Sequence, residues 1–131
     1  MRFLTKKLAA QIILLIFSLT VVFHLLVMIK VIPYTMVWGG RLQSDADMYR
    51  FEFVSLGLNL LFTFIVLVKS GILSIRIPIW VITSSLWVMF CLFLFNTLGN
   101  ILSENHLEKI IFTPVTIVLS LLMLVLILKK N

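Results

Sequence analysis

The stretch LAAQIILLIFSLTVVFHLLVMI, from Leu8 to Ile29, decides the fold. Its twenty-two residues carry no Asp, Glu, Lys or Arg. At about 1.5 Å of rise per residue, one helix of that length crosses roughly 30 Å of hydrocarbon. Three more apolar stretches follow at 51–68, 77–98 and 110–128. Inside a bilayer the backbone must satisfy its own hydrogen bonds, so segments of this length are helices. The chain therefore reads as an all-α integral membrane protein, an up-down bundle of four transmembrane helices in a single domain spanning residues 1–131. Residues 30–50 form its longest outer loop.

Composition agrees. Hydrophobic residues make up 62% of the chain and charged residues 12%, far from the roughly half and about a quarter of a globular domain. The formal net charge of +6 does not indicate nucleic acid, because the basic residues flank the apolar spans instead of clustering on a polar face. Membrane lipids are the expected surroundings. Cys91 is the one cysteine, which excludes an intramolecular disulfide and a CxxC redox pair. His24 and His106 lie far apart in sequence and form no metal-ligand spacing, so no haem, zinc or other cofactor is expected. The basic start, Arg2, Lys6 and Lys7 before an apolar run, resembles a signal peptide. The run is longer than the typical apolar core of about 7 to 15 residues and lacks a small-x-small cleavage site, so it is expected to stay as the first span.

Charge placement predicts the threading. With the N-terminus inside, seven basic residues (Arg2, Lys6, Lys7, Lys69, Arg76, Lys129, Lys130) face the cytoplasm and four (Lys30, Arg41, Arg50, Lys109) face out. That asymmetry predicts cytoplasmic N- and C-termini in a plasma membrane. The five acidic residues, Asp45, Asp47, Glu52, Glu104 and Glu108, then fall on the outer side. Ser44 ahead of Asp45 and Asp47 reads as a helix N-cap, so the second helix is expected to begin near Asp45. Gly71 marks the end of that helix and Pro78 the start of the third. The short inner loop is expected to make these two helices an antiparallel pair. Thr113-Pro114 reads as a bend in a fourth helix begun near Ser103, because Val115 to Leu128 alone is too short to span. The aromatic-rich outer loop, with Trp38-Gly39-Gly40-Arg41, is expected to lie on the outer surface of the bundle.

The polar residues within the spans form strips. At about 100° per residue, Glu52, Ser55, Asn59 and Thr63 occupy an arc of roughly 80° on the second helix. Ser85, Asn96, Gly99 and Asn100 share a face of the third, Thr113, Thr116 and Ser120 a face of the fourth, and Thr20 precedes His24 on the first. Turned inward, with aliphatic faces to lipid, these strips avoid stranded polar groups. His24 lies about 8 Å below the outer end of its helix and Asn59 about 10 Å below Glu52. The strongest polar groups thus gather in the outer half. The expected ligand-binding residues are His24, Glu52, Asn59, Asn96 and Asn100, beneath Trp38 and Arg41 of the outer loop. Against this, Ser, Thr and Gly on buried faces ordinarily serve close packing, and Asp45 and Asp47 serve the helix start.

Four spans in little over a hundred residues resemble the small multidrug resistance transporters in layout. That family places a glutamate within its first helix, where this chain has His24 and no acid. A membrane pocket of Glu, His, Asn and Trp is similar in residue types and helix count to the sterol isomerase and sigma-2 receptor group, with no motif to carry a residue over.

The leading expectation is a binding protein for a lipid, a small amphipathic ligand or a membrane-protein partner, a second copy of the chain included. Proton-coupled transport of a small molecule through a titrating Glu52 is the alternative. An enzyme acting on a lipid-soluble substrate through Glu52 and His24 comes third. No catalytic motif supports that third reading: no Ser-His-Asp set and no glycine-rich phosphate loop can be assembled.

Overall fold

The computed structural model describes residues 5–36, 42–103 and 106–128. It contains four long helices: α1 (Lys6–Met28), α2 (Asp45–Lys69), α3 (Ile79–Ile101) and α4 (His106–Leu128). A single 3-10 turn, Tyr34–Met36, lies in the α1–α2 connection, and the described residues include no strand. Each long helix is long and apolar enough to cross a membrane, and the chain is a small multi-pass membrane protein. Three of the helices run beyond their apolar stretches at the end of the bundle that carries the acidic residues. α2 starts six residues earlier than Phe51, α3 continues to Ile101, and α4 starts at His106. That end is called here the acidic end, and the opposite one, with Lys6, Lys7, Lys69 and Arg76, the basic end.

Local chemistry fixes the helix limits. Thr5 caps α1 by accepting the Leu8 N–H at 3.1 Å, and Ser44 caps α2 by accepting the Asp47 N–H at 3.1 Å. Past the C-terminus of α1 the Lys30 N–H reaches Val27 O and the Val31 N–H reaches Leu26 O, both at 3.0 Å. This paired closure requires a left-handed residue, and Lys30 takes that conformation with φ of 66°. α2 ends on Gly71, with φ of 83°, where the missing side chain makes the same conformation inexpensive. α4 passes through Pro114 without ending, which keeps the fourth span at full length.

Neighbouring helices are antiparallel, as the contacts His24 with Glu52 and Phe17 with Phe62 establish for α1 and α2. Packing is most extensive between α3 and α4, next between α1 and α2, then between α1 and α4. The α2–α3 side is the thinnest, although a short connection joins these two antiparallel helices. The backbone from Ser74 to Pro78 is free of regular structure, and it spans the gap without pulling the helices together. The fold is thus two hairpins, α1–α2 and α3–α4.

Phe17, Phe62 and Phe93 join the hairpins, with ring centroids 5.9 to 6.4 Å apart. Around them a core of Ile13, Val66, Leu86, Met89 and Met123 is almost fully enclosed. Lipid is as apolar as these side chains, so the gain lies in dispersion and fit more than in expulsion of water. A second cluster, Val27, Leu42 and Met48 with Ile32 and Tyr34 against it, folds the described part of the α1–α2 connection onto the end of α1. Across the surface of this cap, Lys30 Nζ meets Asp45 Oδ2 at 2.6 Å.

Gly71 has no atom near the position of an added Cβ, so Gly71→Ala tests backbone conformation alone. It should lower stability by about 1 kcal/mol in thermal unfolding of the detergent-solubilised protein. Gly57→Ala, at an equally open position inside α2, should leave stability unchanged or slightly raised. Hydrogen bonding to Asp45, then its charge, raises the Lys30 ammonium above its ordinary value of 10.5. The contribution of the Lys30 ammonium is therefore full below that ordinary value and is lost as pH rises through the raised one. Melting temperatures of the parent and Asp45→Asn should differ slightly at neutral pH and converge in strong alkali.

Candidate functional site

Glu52 occupies a core position. On α2 the buried positions include Met48, Glu52, Asn59 and Val66, one face at helical spacing, and Glu52 has no exposed surface. Its Oε2 lies 2.5 Å from Nδ1 of His24, one turn before the end of α1. That is hydrogen-bonding distance, and it joins the end of α1 to the start of α2. Oε1 of Glu52, in contrast, is buried without a hydrogen-bond partner, as are Asn59 Oδ1 and Thr113 Oγ1. Buried acceptors left without donors are uncommon because each forfeits its solvation.

The surroundings of the pair are aromatic. Phe23 stands edge-on to the His24 ring at 5.7 Å and to Phe112 of α4 at 5.0 Å. Phe23 and Phe112, with Leu107, Glu108 and Ile111, also line a partly open pocket of about 190 Å³.

A second polar cluster lies between α3 and α4. Thr97 Oγ1 is 2.8 Å from Thr116 Oγ1 and 2.8 Å from the Phe93 carbonyl, while Asn100 Nδ2 approaches Thr116 Oγ1 at 3.4 Å. Thr116 also bonds the Phe112 and Thr113 carbonyls, in the turn that contains Pro114. Nearer the acidic end, Ser103 donates to Glu108 Oε2 at 2.6 Å, both side chains being buried.

The structure thus divides the residues expected to form one pocket. His24 and Glu52 meet, and Asn59 lies on the same side of α2, about 10 Å deeper. Asn100 belongs to the α3–α4 cluster. Asn96 is exposed, which corrects its expected inward position. The buried stripe of α3 runs through Ile82, Leu86, Met89, Phe93, Thr97 and Asn100, and Asn96 falls about 60° from Phe93 at its centre. Trp38 and Arg41 lie outside the described residues. Sequence reasoning passed over Thr97 and the Ser103–Glu108 contact; a serine and a glutamate flanking a short turn were the available signal for the latter. Among the described residues no group of three His, Cys, Asp or Glu side chains converges on a metal-sized space.

No protein-family model matches the chain, and neither curated proteins nor solved structures include one significantly similar to it.

Removing one member of a buried ionisable pair strands the other, whereas removing both together strands neither. His24→Ala alone should therefore cost about 3 kcal/mol of thermal stability. Adding Glu52→Leu to the same chain should restore most of that loss, and equal, additive losses would show that the pair carries no coupling.

Proposed function

We propose that this membrane protein binds a small amphipathic ligand at the His24–Glu52 pair, in the half of the bundle nearer the acidic end. The second oxygen of Glu52 carries this reading. It is a buried acceptor whose partner oxygen is already engaged, so a ligand bearing an N–H or O–H donor, an amine or hydroxyl head, supplies what the fold lacks. The pocket of about 190 Å³ lined by Phe112 and by Phe23, whose ring contacts that of His24, suits a short apolar body. Asn59, buried on the same face and with its carbonyl oxygen likewise unmatched, is a further contact for a ligand that reaches deeper. The excess of lysine and arginine at the basic end supports a plasma-membrane orientation with both termini in the cytoplasm.

Proton-coupled transport is the second reading, favoured by a carboxyl and an imidazole 2.5 Å apart within the bundle. Release of a proton on one side of the membrane and uptake on the other would require a bundle movement, for which the thin α2–α3 side offers the least resistance.

A series of alkyl amines and alkanols, titrated against the detergent-solubilised protein, tests binding. A ligand at about 100 times its Kd raises stability by about 2.7 kcal/mol. Glu52→Gln, which replaces an acceptor oxygen with a donor amide, should weaken that stabilisation at least tenfold for amines while the variant remains folded. Stabilisation that survives Glu52→Gln unchanged, or no stabilisation by any member of the series, sinks the assignment. Ligand uptake into proteoliposomes that follows an imposed pH gradient, and vanishes in Glu52→Gln, would instead establish transport.

A further inference from the structure

A second polar site lies at the opposite, basic end of the bundle. Lys6 and Lys7, opening α1, and Lys69, closing α2, line a groove of about 540 Å³. Lys6 and Lys69, on separate helices, thus bring their ammonium groups to one groove. Among the described residues the acidic ones, Asp45, Asp47, Glu52 and Glu108, lie toward the other end. The floor of the groove is apolar, formed by Ala10 and by Leu126 of α4, both buried. Thr5 adds a hydroxyl whose oxygen accepts from Leu8, leaving its O–H to donate.

We propose that this groove binds the phosphate group of an anionic membrane lipid, Lys6 and Lys69 contacting the phosphate and Lys7 standing at its rim. Two converging ammonium groups match a phosphate's charge and its several acceptor oxygens. Depth selects a lipid: Lys6 and Lys69 are terminal residues of membrane-spanning helices, at the level where a bilayer carries its phosphates. The apolar floor suits the glycerol and first methylenes below a head group and offers nothing to a fully hydrated ion. This site is separate from the His24–Glu52 pair and does not depend on its function.

The test uses the full chain in a neutral detergent, titrated with dihexanoyl phosphatidic acid, dihexanoyl phosphatidylcholine or inorganic phosphate, with binding read from thermal stabilisation. Saturable binding of phosphatidic acid is expected, with Lys69→Gln weakening it about fivefold, as for one basic residue at an anionic surface. Lys69→Arg should retain it, and Lys109→Gln, which removes a lysine near the acidic end, should leave it unchanged. Should Lys69→Gln unfold the protein, Lys6→Gln takes its place, and its comparison with Lys109→Gln across the three ligands decides. Equal weakening by Lys109→Gln would reduce the effect to net charge and overturn the site. Equal binding of phosphatidylcholine would remove the role of the anion, and equal binding of inorganic phosphate would remove that of the lipid; either result overturns the proposal.

Discussion

A carboxylate enclosed in an apolar bundle must find its hydrogen bonds inside the protein, because acyl chains offer none. Glu52 sits under that constraint, and the register between α1 and α2 follows from it. The carboxylate reaches His24 only when the last turns of α1 lie beside the first turns of α2. The Schellman closure at Lys30, the folded loop packing Leu42 onto Val27, and the Lys30–Asp45 contact are consistent with that one alignment. A shift of one turn would separate His24 from Glu52 by about 5.4 Å and leave both without the other.

Polar and aromatic contacts divide the work of assembly. His24 with Glu52, Lys30 with Asp45, Thr97 with Thr116 and Ser103 with Glu108 each join parts of the same hairpin. Between hairpins the contacts of Phe17 and Phe62 with Phe93, and of Phe23 with Phe112, are ring against ring. Polar bonds are directional and fix register, whereas aromatic faces tolerate small displacements. The hairpins are therefore rigid within and more yielding toward each other, most of all along the α2–α3 side.

Much of this was legible in the chain because the controlling scale is coarse. Hydrocarbon thickness sets the number and approximate extent of the helices, and Ser44 and Gly71 announce their ends through side-chain and backbone chemistry that needs no tertiary context. The pairing of His24 with Glu52 could also be anticipated, since each is the strongest polar group of its helix at similar depth. Asn96 was not legible in the same way. Its inward or outward position turns on about 60° of helix rotation, which Leu86, Met89 and Phe93 decide by fitting α4. The separation of Asn100 from Glu52 and the thin α2–α3 contact depend likewise on how faces fit, a property that spacing along one helix does not encode.

The hairpin arrangement bears on how the chain enters its membrane. α1 and α2 emerge from the ribosome first, and once both are made, the buried acid of α2 already has its imidazole on α1. α3 and α4 follow with the Thr97–Thr116 bond likewise available within the pair. Each half can leave the translocon with its own bond made, His24 to Glu52 or Thr97 to Thr116, so neither bond has to wait in the lipid for the other half to be synthesised.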